Sequence, residues 1–163
     1  MEPERPHHAG DHCCHYFGLR GLLDTVMTKG AFWRLTVRDD FSAGHALRHY
    51  EGKCERMHGH NFAVELTVQG QCLTPDTEML LDFKTLKSGL KTVLDALDHR
   101  LLNETPPFDV MNPSSENLAR HIWRGMAELL ATHDDPQARQ VRLYSVTVSE
   151  KAAQSATYME VDD

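Results

Sequence analysis

The feature that most constrains the fold of this chain is a run of alternating residues that begins at His58. From Phe62 to Gln69, apolar side chains alternate with polar or small ones, which is the period of a half-buried β-strand. Because every second side chain of an extended chain points to the same face, His58 and His60 should lie side by side. Cys54 precedes His58 by four positions. The sequence therefore predicts a strand that displays two imidazoles, with a thiol beside them.

A second alternating stretch adds a third imidazole. It starts at Trp33 and ends in Phe41-Ser-Ala-Gly-His45. Three neutral imidazoles with one open position make a catalytic zinc site. We therefore interpret His45, His58 and His60 as ligands of a metal ion, contributed by two adjacent strands. The alternative, three surface or hydrogen-bonding histidines, explains a single histidine better than a pair on one face with a third nearby.

Composition narrows the class of protein. The chain has 163 residues, 40% of them apolar and 25% charged, which is typical of one globular domain. Its 17 basic and 24 acidic residues give a net charge of −7, so no nucleic-acid or membrane partner is indicated. No apolar run approaches a membrane span, and no signal-peptide pattern opens the chain. The four cysteines do not form the pattern of a disulfide framework, which favours the cytoplasm.

The order of predicted elements indicates an α+β fold. Residues 1–30 show no sustained period and are interpreted as a flexible extension before a single domain over 31–163. Two amphipathic helices follow the first two strands, the first capped by Asp82 and the second by Ser114 or Ser115. Two more strands follow, over 141–148, with a bulge near 143–144, and over 156–161. We expect a four-stranded antiparallel sheet with both helices on one face.

Six motifs follow one another along the chain. They are Phe41-Ser-Ala-Gly-His45, Cys54-Glu-Arg-Met-His58-Gly-His60, Leu81-Asp-Phe83, Leu97-Asp-His99 with Leu102-Asn103, Pro113-Ser-Ser-Glu-Asn117 and Ser149-Glu150. On these motifs, the chain from Phe32 to about Val161 resembles the 6-pyruvoyltetrahydropterin synthase superfamily of tunnelling-fold proteins, and within it the 6-carboxytetrahydropterin synthases of queuosine biosynthesis. Three residues separate Cys54 from His58, as in that branch, whereas pyruvoyl-forming enzymes have a longer gap.

The resemblance implies an activity and an assembly. The substrate would be 7,8-dihydroneopterin triphosphate, and the products 6-carboxy-5,6,7,8-tetrahydropterin, acetaldehyde and triphosphate, with zinc and without a redox cofactor. The protein would be a homohexamer of two trimers, each trimer a barrel, with active sites between subunits. Two alternatives stay open. One is a 6-pyruvoyltetrahydropterin synthase, and the other is a non-catalytic protein of the same fold that binds zinc and pterin.

The catalytic assignment rests on three residues. Cys54 is interpreted as the base, a thiol that needs a nearby cation or metal to ionise. The resemblance places Asp98 and His99 in a relay with it, Asp98 as the orienting carboxylate and His99 as the proton donor. A helix end at which His99 only complements the dipole is the alternative.

Substrate binding is assigned to carboxylates and cations. Glu150 ends a strand, and its two oxygens suit the adjacent N–H donors of a pterin, the role that the family gives to this position. Glu116 is a weaker candidate for substrate binding than Glu150, because acidic residues are common in the first turns of helices. The triphosphate needs cations, and which residues supply them is open among Arg48, Lys53, Arg56 and Lys151.

Overall fold

A computed structural model describes residues 31–161 of the chain. The predicted extension over 1–30 lies outside the described residues. Within the described range, none of the helices combines the length and the apolar character needed to span a membrane. The elements in chain order are β1 (Trp33–His45), β2 (His58–Gly70), α1 (Phe83–Asp95), β3 (Arg100–Leu101), α2 (Ser115–Thr132), β4 (Arg142–Lys151) and β5 (Gln154–Tyr158).

The sheet is mostly antiparallel and has the order β3-β1-β2-β4-β5. Strands β1 and β2 pair along their whole length, from Trp33 opposite Gly70 to His45 opposite His58. The predicted α+β fold with two helices is confirmed, and the sheet holds one strand more than the four predicted. This extra strand is β3, which pairs parallel to β1 over Arg100–Leu101. Two residues are too few to show a period, so the sequence pattern did not reveal it.

Both helices begin at the predicted caps. The side chain of Asp82 accepts a hydrogen bond from the N–H of Lys84, and that of Ser114 accepts one from the N–H of Asn117. Helix α1 packs on β1, α2 packs on β4 and β5, and the helices contact each other. They therefore cover the same face of the sheet, and the core lies between them and the strands.

The last two strands differ slightly from the prediction. Strand β4 extends to Lys151, beyond the predicted end at Val148, and β5 starts at Gln154 instead of Ala156. The predicted bulge is confirmed, because the register between β2 and β4 shifts at Thr67/Val68 and leaves Tyr144 unpaired. The bulge resets the alternation of β4, so that the side chains after it keep one face toward the core.

Candidate metal centre and active site

Strand pairing brings the three predicted metal ligands together. His45 lies opposite His58 in the β1–β2 register, and Ala43 lies opposite His60. Since Ala43 and His45 are two positions apart, all three imidazoles project from the same face. Their ring centroids are separated by 4.5 Å (His45–His58), 5.3 Å (His45–His60) and 4.9 Å (His58–His60). One nitrogen of each ring lies within 4.8 Å of the others, so the cluster can hold a metal ion.

Two stacked phenylalanine rings pack against one side of the histidine cluster. Phe62 is fully buried, and its ring centroid lies 5.2 Å from that of His45 and 5.6 Å from that of His60. Phe41 stacks on Phe62 at 5.0 Å. These apolar contacts restrict the rings of the ligands and exclude water from one side of the cluster.

Backbone carbonyls orient two of the rings. Nδ1 of His45 lies 2.9 Å from the carbonyl oxygen of Pro113, and Nδ1 of His58 lies 2.7 Å from that of Arg56. A carbonyl only accepts, so each Nδ1 carries a proton, and in the neutral ring Nε2 presents a lone pair. Among residues 31–161, Nε2 of His45 is the one buried side-chain polar atom without a hydrogen-bond partner. A bound metal ion would satisfy this atom.

The electrostatics of the cluster favour neutral imidazoles. Burial is the largest cause of the lowered pKa of His45, and burial likewise lowers the pKa of His60. The negative charge of Glu150 opposes both shifts without overcoming them. The lowered pKa values keep the two rings neutral at pH 7, which is the form that binds metal. The residues present therefore fit a metal ion held by three imidazoles.

Glu150 stands beside the metal cluster. It shares a face of β4 with the buried Val146 and Val148. Its Oε1 lies 3.9 Å from Nε2 of His45, its Oε2 lies 4.0 Å from Nε2 of His60, and its side chain is 13% exposed. Ser115 Oγ donates to Oε1 and Gln154 Nε2 donates to Oε2, each at 3.2 Å. The carboxylate is thus held in one orientation, with both oxygens able to accept further bonds.

Cys54 lies in the connection between β1 and β2. It is the middle residue of a single 3₁₀ turn, Lys53–Glu55, and its thiol is free and partly exposed. Its carbonyl accepts a hydrogen bond of 2.8 Å from the N–H of Leu47. This bond ties the turn to the residues that follow His45, so the turn is held near the end of the sheet that carries the cluster.

Asp98 and His99 form a hydrogen-bonded pair. Nδ1 of His99 lies 2.8 Å from Oδ2 of Asp98, and the positive φ of His99 (54°) allows these neighbours to face each other. The N–H of Ser42 donates to Oδ1 of Asp98 at 2.8 Å, and the carbonyl of Ser42 accepts from the N–H of His99 at 2.6 Å. The bond from Ser42 is the main reason that the pKa of Asp98 is lowered, and His99 adds to it.

This pair lies along the edge of β1 that faces away from β2, because it bonds the backbone of Ser42 on that edge. At the same end of the sheet, residues 42–44 of β1, 59–61 of β2 and 99–100 line a shallow depression. Ser42 and Asn61, which bond each other at 2.7 Å, alternate with the residues that point to the helices, so the depression opens on the outer face. The side chain of His99 is 81% exposed. Within one chain, the pair therefore borders the reverse side of the sheet from the metal cluster.

Glu116 and Arg48 were both considered for substrate binding, and the structure shows the surroundings of each. Glu116 is exposed in the first turn of α2, and its neighbour Ser115 makes the contact with Glu150. Arg48, one of four cations considered for the triphosphate, directs its guanidinium at backbone carbonyls of the 103–111 loop. The contact of the Pro113 carbonyl with His45 was not predicted, although Pro113 and Ser115 belong to one of the motifs that carry the family resemblance.

Comparison with known proteins places this geometry in a family. Residues 34–161 match the protein family described as 6-pyruvoyl tetrahydropterin synthase. The chain belongs to this family. The match spans every element of the fold except the first residue of β1, and the resemblance drawn from the motifs is confirmed.

Family members similar to this chain come from two branches. It is 33% identical over 130 residues to 6-carboxy-5,6,7,8-tetrahydropterin synthase of Synechocystis sp., a match that covers 77% of this chain and 92% of that protein. It is 38% identical over 103 residues to 6-pyruvoyl tetrahydrobiopterin synthase of Drosophila melanogaster, covering 55% of this chain and 61% of that protein. The structure of Caenorhabditis elegans 6-pyruvoyl tetrahydropterin synthase superposes with a TM-score of 0.67 and 28% identity, over 80% of this chain and 97% of that one.

Proposed function

We propose that this protein is a zinc-dependent carbon–carbon lyase of the cytoplasm. It converts 7,8-dihydroneopterin triphosphate and one water molecule to 6-carboxy-5,6,7,8-tetrahydropterin, acetaldehyde and triphosphate, a reaction of queuosine biosynthesis. The observation that carries the proposal is the three-histidine cluster, of which His45 is buried, with an anchored carboxylate 3.9 to 4.0 Å from two of its nitrogens.

In this proposal His45, His58 and His60 hold the zinc ion. Zinc suits three imidazoles with an open position, and when bound it acts as a Lewis acid toward oxygens of the substrate side chain. The unpartnered Nε2 of His45 supports the assignment, because a buried nitrogen without a partner is costly in a protein that binds nothing there.

Glu150 anchors the pterin. Ser115 and Gln154 each occupy one lone pair of the carboxylate, and every oxygen keeps another for the ring N–H and amino donors of the substrate. A charged acceptor whose side chain is only 13% exposed makes a strong contact with paired donors. Glu116, exposed on the first turn of α2, is a secondary contact at the rim of the pocket.

Cys54 removes a proton from the substrate side chain, and His99 returns one. Because Asp98 accepts from Nδ1 of His99, Nε2 of that ring is left to exchange a proton with the substrate. The lowered pKa of Asp98 keeps it negative, so that it stabilises the charged form of its partner.

In each active site, the Asp98–His99 pair and the metal cluster come from different copies of the chain. In one chain Asp98 and His99 border the outer face, whereas the three histidines project from the face that the helices cover. Assembly into a homohexamer of two trimers would bring the pair of one subunit to the metal site of its neighbour. Each active site is then shared between subunits, and a dissociated chain is inactive.

The choice of the carboxy-forming reaction rests on the three-residue gap between Cys54 and His58 and on the extent of the Synechocystis match. The alternative is triphosphate elimination by a 6-pyruvoyltetrahydropterin synthase, which the higher identity to the shorter Drosophila match favours. A binding protein without activity would need neither Cys54 nor the Asp98–His99 pair.

Product analysis tests the proposal. Zinc-loaded protein is incubated with 7,8-dihydroneopterin triphosphate, and the products are identified by mass spectrometry. We expect carboxytetrahydropterin together with acetaldehyde. A pyruvoyl product without acetaldehyde would assign the chain to the other branch, and unchanged substrate would leave a binding protein.

A further inference from the structure

Two asparagine side chains tie the residues after His45 to a distant loop. Asn103 accepts from the N–H of Ala46 and donates to its carbonyl, both at 2.8 Å. Asn112 accepts from the N–H of Arg48 at 2.7 Å and donates to its carbonyl at 3.0 Å. Each amide thus pairs with a backbone as a neighbouring strand would, although no regular sheet is present there. The segment that leaves the metal cluster is therefore fixed at two points.

The guanidinium of Arg48 closes the same loop. Its Nη1 donates to the carbonyl of Met111 at 3.0 Å, and its Nη2 lies within 2.9 to 3.2 Å of the carbonyls of Asn103, Phe108 and Asp109. A planar guanidinium with five N–H donors can satisfy several carbonyls at once. The loop over 103–112 is thereby wrapped around one side chain, and its end has a defined position relative to β1.

The end of this loop contacts the metal cluster. Asn112 is followed by Pro113, whose carbonyl oxygen lies 2.9 Å from Nδ1 of His45. The carbonyl of Asn112 itself accepts from Nδ2 of Asn117 at 2.9 Å. The side chain of Asn112 is thus held by the backbone of Arg48, in the segment that follows β1, and its carbonyl is held by Asn117 of α2. Both attachments lie one residue from the carbonyl that orients His45.

We propose that Asn112 is a positioning residue for the metal ligand His45. It fixes the Pro113 carbonyl, which holds the imidazole in the tautomer and orientation that direct Nε2 at the cluster. This inference rests on the proposed metal site. A hydrogen bond of 2.9 Å is lost when its acceptor moves by about 1 Å, so a loosened loop releases the ring. Partners behind a ligand typically contribute about 10- to 100-fold to metal affinity.

The test is the zinc affinity of Asn112→Ala, measured by competition with a chromophoric chelator. We expect a loss of about 10-fold, the lower end of the range, because Asn112 acts through Pro113. The visible spectrum of the cobalt-substituted protein gives a second readout, since it reports the coordination geometry. It should change in the variant, whereas a purely structural role would leave it as in the wild type.

Gln137→Ala is the matched control. The Gln137 amide donates to the carbonyls of Cys72 and Leu80 at 3.0 and 2.9 Å, so it ties together two loops that are not part of the cluster. Its loss should lower the unfolding temperature without changing zinc affinity or the cobalt spectrum. If Asn112→Ala does not fold, Asn112→Asp keeps the acceptor for the N–H of Arg48 and replaces the donor with a charged oxygen that faces the Arg48 carbonyl. Its affinity should lie between those of wild type and a full loss.

The outcomes separate this inference from the proposed function. The inference is supported if zinc binding weakens and the cobalt spectrum changes in the Asn112 variants but not in Gln137→Ala. Wild-type affinity and an unchanged spectrum in these variants overturn it, and so does an equal loss in Gln137→Ala, which would trace to general stability. A wild-type protein that binds no zinc refutes the metal site and the inference together.

Discussion

Replacing Glu150 with glutamine separates the charge of this residue from its packing. Ser115 Oγ, which donates to Oε1, can also accept, so the new amide nitrogen can take that position and donate to the hydroxyl. The remaining oxygen still accepts from Gln154. Glu150→Gln should therefore fold normally, with a change in the free energy of unfolding of less than about 1 kcal/mol.

The functional loss in Glu150→Gln should be much larger than the structural one. A hydrogen bond to a charged group contributes about 1.5 to 3 kcal/mol, and the variant loses the charge and one of the two acceptors that face the pterin. That free energy corresponds to a fall in kcat/KM of about 10- to 150-fold. The assay is steady-state turnover of 7,8-dihydroneopterin triphosphate by zinc-loaded protein. Glu160→Gln, which removes the same charge where Tyr158 donates at 2.8 Å, is the control and should keep the wild-type kcat/KM.

Zinc content is measured on the same Glu150→Gln samples. Because the oxygens of Glu150 lie 3.9 and 4.0 Å from the Nε2 atoms of His45 and His60, the carboxylate could serve the metal instead of the substrate. Low activity with full zinc supports the anchor. Loss of zinc in the variant would contradict it, and an unchanged kcat/KM would refute the reasoning outright.

Three further predictions concern Cys54 and the Asp98–His99 pair. Cys54→Ala should bind zinc normally and lose about 100- to 10,000-fold in kcat, the usual contribution of a general base, and full activity in that variant would exclude the thiol from catalysis. If sites are shared between subunits, co-assembling Cys54→Ala with His99→Ala should restore part of the activity that each lacks alone, whereas inactive mixtures would place both residues in one subunit's site. Ser42 and then His99 lower the pKa of Asp98, so its carboxylate stabilises the fold above its unfolded pKa, and this contribution disappears as the pH falls through the lower folded pKa. Denaturation at graded pH should show the stability of wild type converging with that of Asp98→Asn in acid, and a constant difference would contradict the shift.

Periodic patterns made much of this site predictable. The alternation around His58 and His60 placed both rings on one face, and antiparallel pairing brought His45 opposite His58. The helix caps Asp82 and Ser114 were predictable because capping depends on residues three or fewer positions away. Local physics therefore accounts for the cluster and for the elements that carry it.

The features that the sequence could not show are contacts between residues that lie far apart along the chain. The guanidinium of Arg48 bonds carbonyls 55 to 63 positions away, and nothing near Arg48 distinguishes this use from binding a phosphate. Likewise, Ser115 and not Glu116 reaches Glu150 because of how α2 sits on β4, which is a matter of tertiary packing. Strand β3 forms because the backbone of Ser42 holds Asp98 and His99, a contact without a local signal.

The zinc content of the purified protein tests the central claim most directly, because the proposed reaction and the role of Asn112 both depend on the histidine cluster. Wild type and His58→Ala would be compared by elemental mass spectrometry after dialysis against metal-free buffer. The account predicts about one zinc ion per chain in the wild type, since three imidazoles and an open position form one catalytic site, and little in the variant. Equal zinc in both proteins, or none in the wild type, would contradict it.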